Sequence, residues 1–267
     1  VEEIEAAGGT ALAAARDVAD WDDAQALINT PIDAWGGLDI LVNIAGNFRI
    51  NNVTNVTRDD WDSLRRVHMD GMMFTSHFAA LHWVKNPGFG RLLNMTSDSA
   101  MSGVPDTFAY AAAKSSVVGM TRAVANALVS YGVTANCLTQ GATGRMADVY
   151  FGANDDGSLP SATPEENQRP EHVAPLVLYL ASDAAANISG RIFGAYGLRY
   201  IRWSEPNHER ALDSDGPWDL EQLFEEFPRT LGESLSLEQD LLWPMASIDE
   251  GQAESFSQGP DLGEGRK

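Results

Sequence analysis

The chain has 267 residues, 44% of them hydrophobic, and a formal net charge of −20. That length fits one large domain or a domain with an appendage, and the charge argues against nucleic acid or an anionic membrane surface as a partner, since both would repel it. No apolar run reaches the roughly 18 residues of a membrane span. The opening Val1-Glu-Glu-Ile-Glu5 is no secretory signal, and the lone Cys137 excludes a disulfide framework, so a cytoplasmic location is expected.

In chain order, residues 2–7 read as the last turns of a helix stopped by Gly8-Gly9, so the chain looks cut at its start. Residues 10–18 read as a short strand with Asp17 near its end. A helix follows over 22–35, stopped at Gly36-Gly37, and a buried strand over 39–43, closed by Ala45-Gly46. Thr57 is a fitting N-cap for a long helix over 58–84. Residues 90–96 form the next buried strand, 107–130 an alanine-rich helix, and 133–138 a strand in which Cys137 is expected to be buried. A helix over 170–182 and a strand over 191–195 complete the pattern. Alternating strands and helices with burial on both faces predict a doubly wound α/β fold with a parallel sheet, which binds ligands at the carboxyl ends of its strands.

Between these elements, residues 152–168 are rich in Gly, Asp, Ser and Pro and read as a substrate lid or a solvated insertion. Residues 1–197 make up the α/β domain and 198–244 an extension packing on it, with a short amphipathic stretch at 218–227. Residues 245–267 are poor in hydrophobic residues and read as a disordered acidic tail. Acidity is concentrated late, with 16 acidic against 4 basic residues from Glu205 onward.

The chemistry-bearing residues begin with Tyr110 and Lys114, four apart on one helix and so on one face. A phenol of ordinary pKa is a poor base at neutral pH, and an ammonium beside it favours the phenolate. Such a pair can take a proton from an alcohol or return it to a carbonyl. Ser97 stands at the end of the strand over 90–96, where its hydroxyl can meet a substrate oxygen; Ser99 is a rival donor. Small residues after Asn43, namely Ala45 and Gly46, let backbone approach a ribose or an adenosine. His77, His82, His172 and His208 are dispersed without metal-ligand spacing, and no metal is expected.

In order and spacing, Asp17-Val18, Asn43-Ile44-Ala45-Gly46, Ser97, Tyr110 and Lys114 resemble the short-chain dehydrogenase/reductase family. The likeness runs from Val1 to about Gly197 and includes Pro170-Glu-His-Val-Ala174 and Leu180-Ala-Ser-Asp183. It implies a Rossmann-like fold and an NAD- or NADP-dependent oxidoreductase interconverting a secondary alcohol and a ketone. Tyr110 would be the general acid/base, Lys114 would lower its pKa and hold the nicotinamide ribose, and Ser97 would orient the substrate oxygen. Asp17 and Val18 would lie at the adenine, Asn43, Ala45 and Gly46 along the adenosine, and Gln140, Gly141 and Thr143 at the nicotinamide. A strand-end Asp17 bonding its own turn is the other reading of that residue.

A narrower likeness is to the (3R)-hydroxyacyl-CoA dehydrogenase domain of peroxisomal multifunctional β-oxidation enzymes. It rests on Val67-His-Met-Asp-Gly71, Gly144-Arg145-Met146, Glu171-His-Val-Ala-Pro-Leu-Val-Leu178 and Arg202-Trp203. It implies a small-molecule hydroxy or keto substrate, an acyl-CoA thioester among them. Family helices of the 58–84 and 107–130 type pair about a two-fold axis, which implies a homodimer or homotetramer through apolar residues such as Phe74, Phe78, Val117 and Met120.

The sequence departs from the family pattern at three places. His68 stands where the family has a catalytic Asn, and either shares the proton relay or is simply packed. Gln140-Gly141 replaces a Pro-Gly. The Gly-rich pyrophosphate turn is absent, and the first strand-helix-strand unit is expected to lie before Val1. Without that unit the chain is expected to bind nicotinamide cofactors weakly, and the other reading of the sequence is a non-catalytic binding protein that kept the fold and lost its cofactor.

Overall fold

The computed structural model describes residues 1–141 and 169–235. Thr143, residues 144–146, the loop over 152–168 and the tail over 245–267 lie outside the described residues. The chain groups into two compact units, Val1–Glu205 and Pro206–Lys267.

In the first unit five strands form one sheet in sequence order: β1 (Ile40–Asn43), β2 (Gly90–Met95), β3 (Val133–Gly141), β4 (Ile192–Tyr196) and β5 (Arg199–Arg202). The first four pair in parallel, as the apolar runs predict. The last pair is antiparallel, with Tyr196 opposite Arg199 across Gly197-Leu198. Gly197 takes a φ of +57°, the left-handed conformation that such a tight hairpin needs. The sheet therefore runs past residue 197, and the first unit ends at Glu205.

Helices α1 (Glu2–Ala6), α2 (Trp21–Trp35), α3 (Arg58–Leu64), α4 (Met72–Lys85), α5 (Ser99–Ser102), α6 (Phe108–Leu128) and α7 (Ala174–Ala181) flank or precede the strands. Alternation along β2 and β3 sends side chains to both faces. Leu92 and Ala135 pack with Ala24, Phe78, Ala79 and Trp83 of α2 and α4. Leu93 and Leu138 pack with Leu176 and Leu180 of α7 on the other side. This is the doubly wound, Rossmann-like arrangement.

The helix expected over 58–84 is one continuous rod with an irregularity. Thr57 opens it with a capping box, its hydroxyl receiving the Asp60 amide while the Asp60 carboxylate receives the Thr57 amide. Between α3 and α4, residues Arg65–Gly71 form a π-helical turn that carries His68.

Two expectations are corrected. Residues 10–18 form no strand. A strand must give its backbone groups to a neighbour, and none of the described strands pairs with them; Arg16, Asp17 and Asp20 instead bond the start of α2 through Asp23. Phe78 and Val117, expected on a free apolar face, are core residues. Trp21 of α2 stacks edge-on against both Phe74 and Phe78, with centroids 5.0 and 4.8 Å away.

In the second unit, α8 (Leu220–Glu226) falls within the amphipathic stretch. It is capped by Asp219, which accepts the Gln222 amide, and Arg210 bonds the Thr230 carbonyl and Glu233.

Trp83 is 1% exposed and its indole N–H donates to the Leu38 carbonyl at 2.6 Å, tying α4 to the entry of β1. Trp83→Ala leaves a large cavity and an unpaired carbonyl. It should lower unfolding free energy by about 3–5 kcal/mol, read by urea denaturation; a loss well below that would show that Trp83 does not hold this layer.

Candidate active site

Three side chains from one strand end and one helix meet. β2 ends at Met95, and Ser97 lies just beyond it. Helix α6 brings Tyr110 and Lys114 against that end, both buried. The attachment is specific: the Thr96 hydroxyl donates to the Lys114 carbonyl at 2.8 Å, and the Lys114 ammonium donates to the Met95 carbonyl at 2.7 Å. The start of α6 is fixed from the other side by Asn51, whose side-chain oxygen accepts the Ala109 amide at 3.1 Å.

Ser97 acts on the Tyr110 hydroxyl and lowers its pKa, and the Ser97 oxygen accepts the Ser99 amide at 3.3 Å. Ser99, the rival donor, thus supports Ser97 through its backbone. The Tyr110 ring is held edge-on between Phe48 at 4.8 Å and His68 at 5.4 Å. The Lys114 ammonium lies 5.7 Å from the centre of that ring.

The electrostatics depart from expectation. Burial pushes Tyr110 up to about 12, against the lowering effect of Ser97 and helped by the charge of Asp98. Burial likewise pushes Lys114 down to about 7. The ammonium was expected to favour the phenolate, but desolvation of the phenol outweighs it. At neutral pH Tyr110 is protonated.

His68 comes into the same site. It is fully buried at 0% exposure, and its Nε2 lies 2.8 Å from the Asn47 carbonyl and 3.3 Å from the Asn47 amide. The shorter contact assigns the proton to Nε2, which leaves Nδ1 as a buried acceptor with no partner among the described residues. Burial first, then the charge of Lys114, hold His68 down to about 3, so it is neutral. Gly46 is constrained by this ring, since a Cβ there would sit 2.8 Å from His68 Cε1.

The remaining sequence-selected residues divide. The Asn43 side chain is committed internally: it donates to Asn94 at 2.9 Å and accepts from Thr75 at 2.9 Å, so only its backbone is free for a ligand. Ala45 is exposed beyond it. Val18 packs under Gly71, where a Cβ would meet Val18 Cγ2 at 2.8 Å. Asp17 bonds its own turn, accepting the Ala19 amide at 2.9 Å, and pairs with Arg66 at 3.0 Å. Gln140 is exposed at the end of β3, and Gly141 lies against the Tyr196 ring. Cys137 is buried in β3, as expected.

A nicotinamide nucleotide fits this donor set at its ribose. Lys114 is 3% exposed and meets no carboxylate among the described ion pairs. Among the described residues its ammonium donates to the Met95 carbonyl alone. An ammonium carries three donors, so two remain for vicinal hydroxyls.

Sequence reasoning did not find Asp98, Thr139, Tyr196 or Asn51 at this site. Asp98 adjoins Ser97, but its partners come from other strands, and such long-range meetings leave no local pattern.

A model of the family described as Enoyl-(Acyl carrier protein) reductase matches residues 1–195. The hydroxyacyl-CoA dehydrogenase ChsB1 of Mycobacterium tuberculosis is 35% identical over 235 residues, covering 84% of this chain and 73% of that protein. Peroxisomal multifunctional enzyme A of Dictyostelium discoideum is 31% identical over 192 residues, covering 71% of this chain and 40% of that protein. Among solved structures, a short chain dehydrogenase from Mycobacterium avium matches with a TM-score of 0.75 and 31% identity, covering 88% of this chain and 78% of that one.

The depressed pKa of His68 gives a signed expectation. The unfolded chain takes up this proton near 6.5, the folded chain only near 3, so the contribution is present above 6.5 and lost as pH falls toward 3. In urea unfolding at a series of pH values, wild type should lose stability faster than His68→Asn below 6.5, by at most about 1.4 kcal/mol per pH unit. Parallel curves would show that His68 is not buried in its neutral form.

Proposed function

The chain belongs to the short-chain dehydrogenase/reductase family, whose named members here are oxidoreductases, and from that premise we propose that it interconverts a secondary alcohol and a ketone by Ser97, Tyr110 and Lys114. The observation that carries this reading is the buried Tyr110 with the Lys114 ammonium over its ring at 5.7 Å, on the helix packed against the strand end that bears Ser97.

Ser97 and Tyr110 both reach one oxygen. Ser97 donates to it and fixes its position. Tyr110, protonated at neutral pH, gives its proton to a ketone oxygen, or takes one back from the alcohol. NAD or NADP, when bound, supplies or accepts the hydride at the adjacent carbon. Lys114 would hold the ribose hydroxyls and stabilise the phenolate left after proton transfer. The backbone of Asn43 to Gly46 would lie along the adenosine, with Gly141 toward the nicotinamide. Asp17, with Val18 beside it, would reach the adenine only by sharing its carboxylate with Arg66. At neutral pH the phenol is in its protonated form, the form that ketone reduction needs.

A 3-hydroxyacyl or 3-ketoacyl thioester is the substrate class we propose. Support comes from the relatives whose names carry hydroxyacyl-CoA dehydrogenase and peroxisomal multifunctional enzyme, together with the sequence likeness at residues 67–71 and 171–178. Among the described residues no helix is long and apolar enough to cross a membrane.

Tyr110→Phe should cut kcat for 3-ketoacyl-thioester reduction by about 10²–10⁴-fold, the usual worth of a general acid/base, with KM for the nicotinamide nearly unchanged. Turnover near wild type would reject Tyr110 as the proton carrier.

We also propose a homodimer or homotetramer. Phe78 and Val117 are unavailable for it, but Met73, Leu81 and Val84 of α4 and Phe108 of α6 are exposed, an apolar surface that association would cover. Light scattering at micromolar concentration should give a multiple of the chain mass; a monomeric mass would reject it.

A further inference from the structure

A second chain of polar contacts runs behind Ser97. The Trp203 indole N–H donates to the Thr139 hydroxyl at 3.2 Å. The Thr139 and Tyr196 hydroxyls lie 2.5 Å apart. The Tyr196 hydroxyl donates to Asp98 in a short contact, and Thr139 also hydrogen-bonds the Asp98 carboxyl. These residues come from β3, the end of β4 and the segment after β5, and they converge on the residue next to Ser97.

Proton accounting gives the chain a direction. An indole N–H can only donate. Thr139 accepts that hydrogen bond, and its own hydrogen faces the Tyr196 hydroxyl at 2.5 Å, with the Phe193 carbonyl a longer acceptor at 3.5 Å. Tyr196 donates to Asp98. The shorter contacts lead from Trp203 through Thr139 and Tyr196 to the Asp98 carboxylate. Burial pushes Asp98 upward, while its bonds from Tyr196 and Thr139 lower it.

The packing is arranged around this chain. Thr139 is 0% exposed. A Cβ on Gly141 would meet Tyr196 Cδ1 at 2.9 Å, and one on Gly194 would meet Tyr196 Cε2 at 2.4 Å. Two glycines thus clear the space that the Tyr196 ring occupies. A tyrosine placed for packing alone does not require its hydroxyl to end on a half-buried carboxylate.

We propose that Asp98 is a positioning residue whose carboxylate, clamped by Tyr196 and Thr139, pins the Ser97 turn to the carboxyl ends of β3 and β4 and sets a fixed negative charge beside the Tyr110 hydroxyl. This rests on the reading of Tyr110 as the acid/base group. The charged or titratable groups facing Tyr110 are Lys114 from its own helix, His68 from the π-helical turn, and Asp98 with Tyr196 behind it. His68 is neutral, so Lys114 and Asp98 act against one another. Lys114 favours the phenolate, and Asp98 opposes it. Asp98 therefore opposes ionisation of Tyr110.

The test reads the phenol directly. Ultraviolet tyrosinate titration of the full chain, minus the same titration of a matched Tyr110→Phe variant, gives the midpoint of Tyr110 without turnover. Asp98→Asn should lower that midpoint by about one pH unit, the size expected for removal of a near like charge. Asp98→Glu, which restores the charge, should keep it near the wild-type value. Should Asp98→Asn fail to fold, Asp98→Ser removes the same charge with a smaller side chain, and the same fall is expected. An unmoved midpoint in the neutral variants, or an equal fall in Asp98→Glu, overturns the proposal. Because the titration needs no substrate, an inactive chain whose Tyr110 midpoint still falls in Asp98→Asn would separate failure of the catalytic reading from failure of this one.

Discussion

The burial of the Lys114 ammonium at the end of β2 governs the site. A cation taken out of water must be met by fixed dipoles or opposite charge. Here the Met95 carbonyl meets it directly, and the Thr96 hydroxyl holds the Lys114 backbone in place. Strand end and helix are thereby fastened at one point. Ser97 follows Thr96 without slack, and Tyr110 lies one helical turn before Lys114, so fixing that point fixes the other two. The same charge helps keep His68 neutral, which lets an imidazole sit fully buried beside a cation.

A neutral polar ladder carries this registration sideways. Asn43 on β1 bonds Asn94 on β2, Asn94 bonds Thr121 on α6 at 2.9 Å, and Thr75 on α4 bonds Asn43. Cys137 on β3 adds a weak donor to Thr121. Buried amides and hydroxyls that satisfy one another cost little and admit few alternative arrangements. Three strands and two helices are therefore held to one register near the carboxyl edge of the sheet, where Ser97, Tyr110 and Lys114 lie.

What could be read from the sequence was what local spacing encodes. The pairing of Tyr110 with Lys114 follows from helical geometry, the four parallel strands from their apolar runs, and the start of α3 from Thr57 and Asp60. What could not be read depends on partners far along the chain. Residues 10–18 have strand-like composition, but no strand among those described takes up their backbone bonds. The hairpin at Gly197-Leu198 was masked by the expectation that the parallel pattern had ended. Phe78 and Val117 looked surplus on their helices because Trp21 and the underside of the sheet, which cover them, come from elsewhere. The direction of the Tyr110 shift needed the depth of burial, which no spacing gives. Asp98 offered one local signal, its place beside Ser97, but Tyr196 reaches it from the end of β4, with Thr139 of β3 and Trp203 beyond β5 behind that hydroxyl.

The π-helical turn between α3 and α4 has a consequence for how this rod can vary. Such a turn is an α-helix accommodating one extra residue, and each residue of an α-helix advances the face by about 100°. With the extra residue absorbed over Arg65–Gly71, Leu64 and His68 point toward Tyr110 while Thr75, Phe78, Ala79 and Trp83 turn toward the sheet and α2. Removing one residue there would leave a regular helix whose two halves no longer agree on which side is inside. The rod thus behaves as two helices of different phase joined by a fixed rotation, and length along this segment is far less free to change than the identity of its exposed side chains.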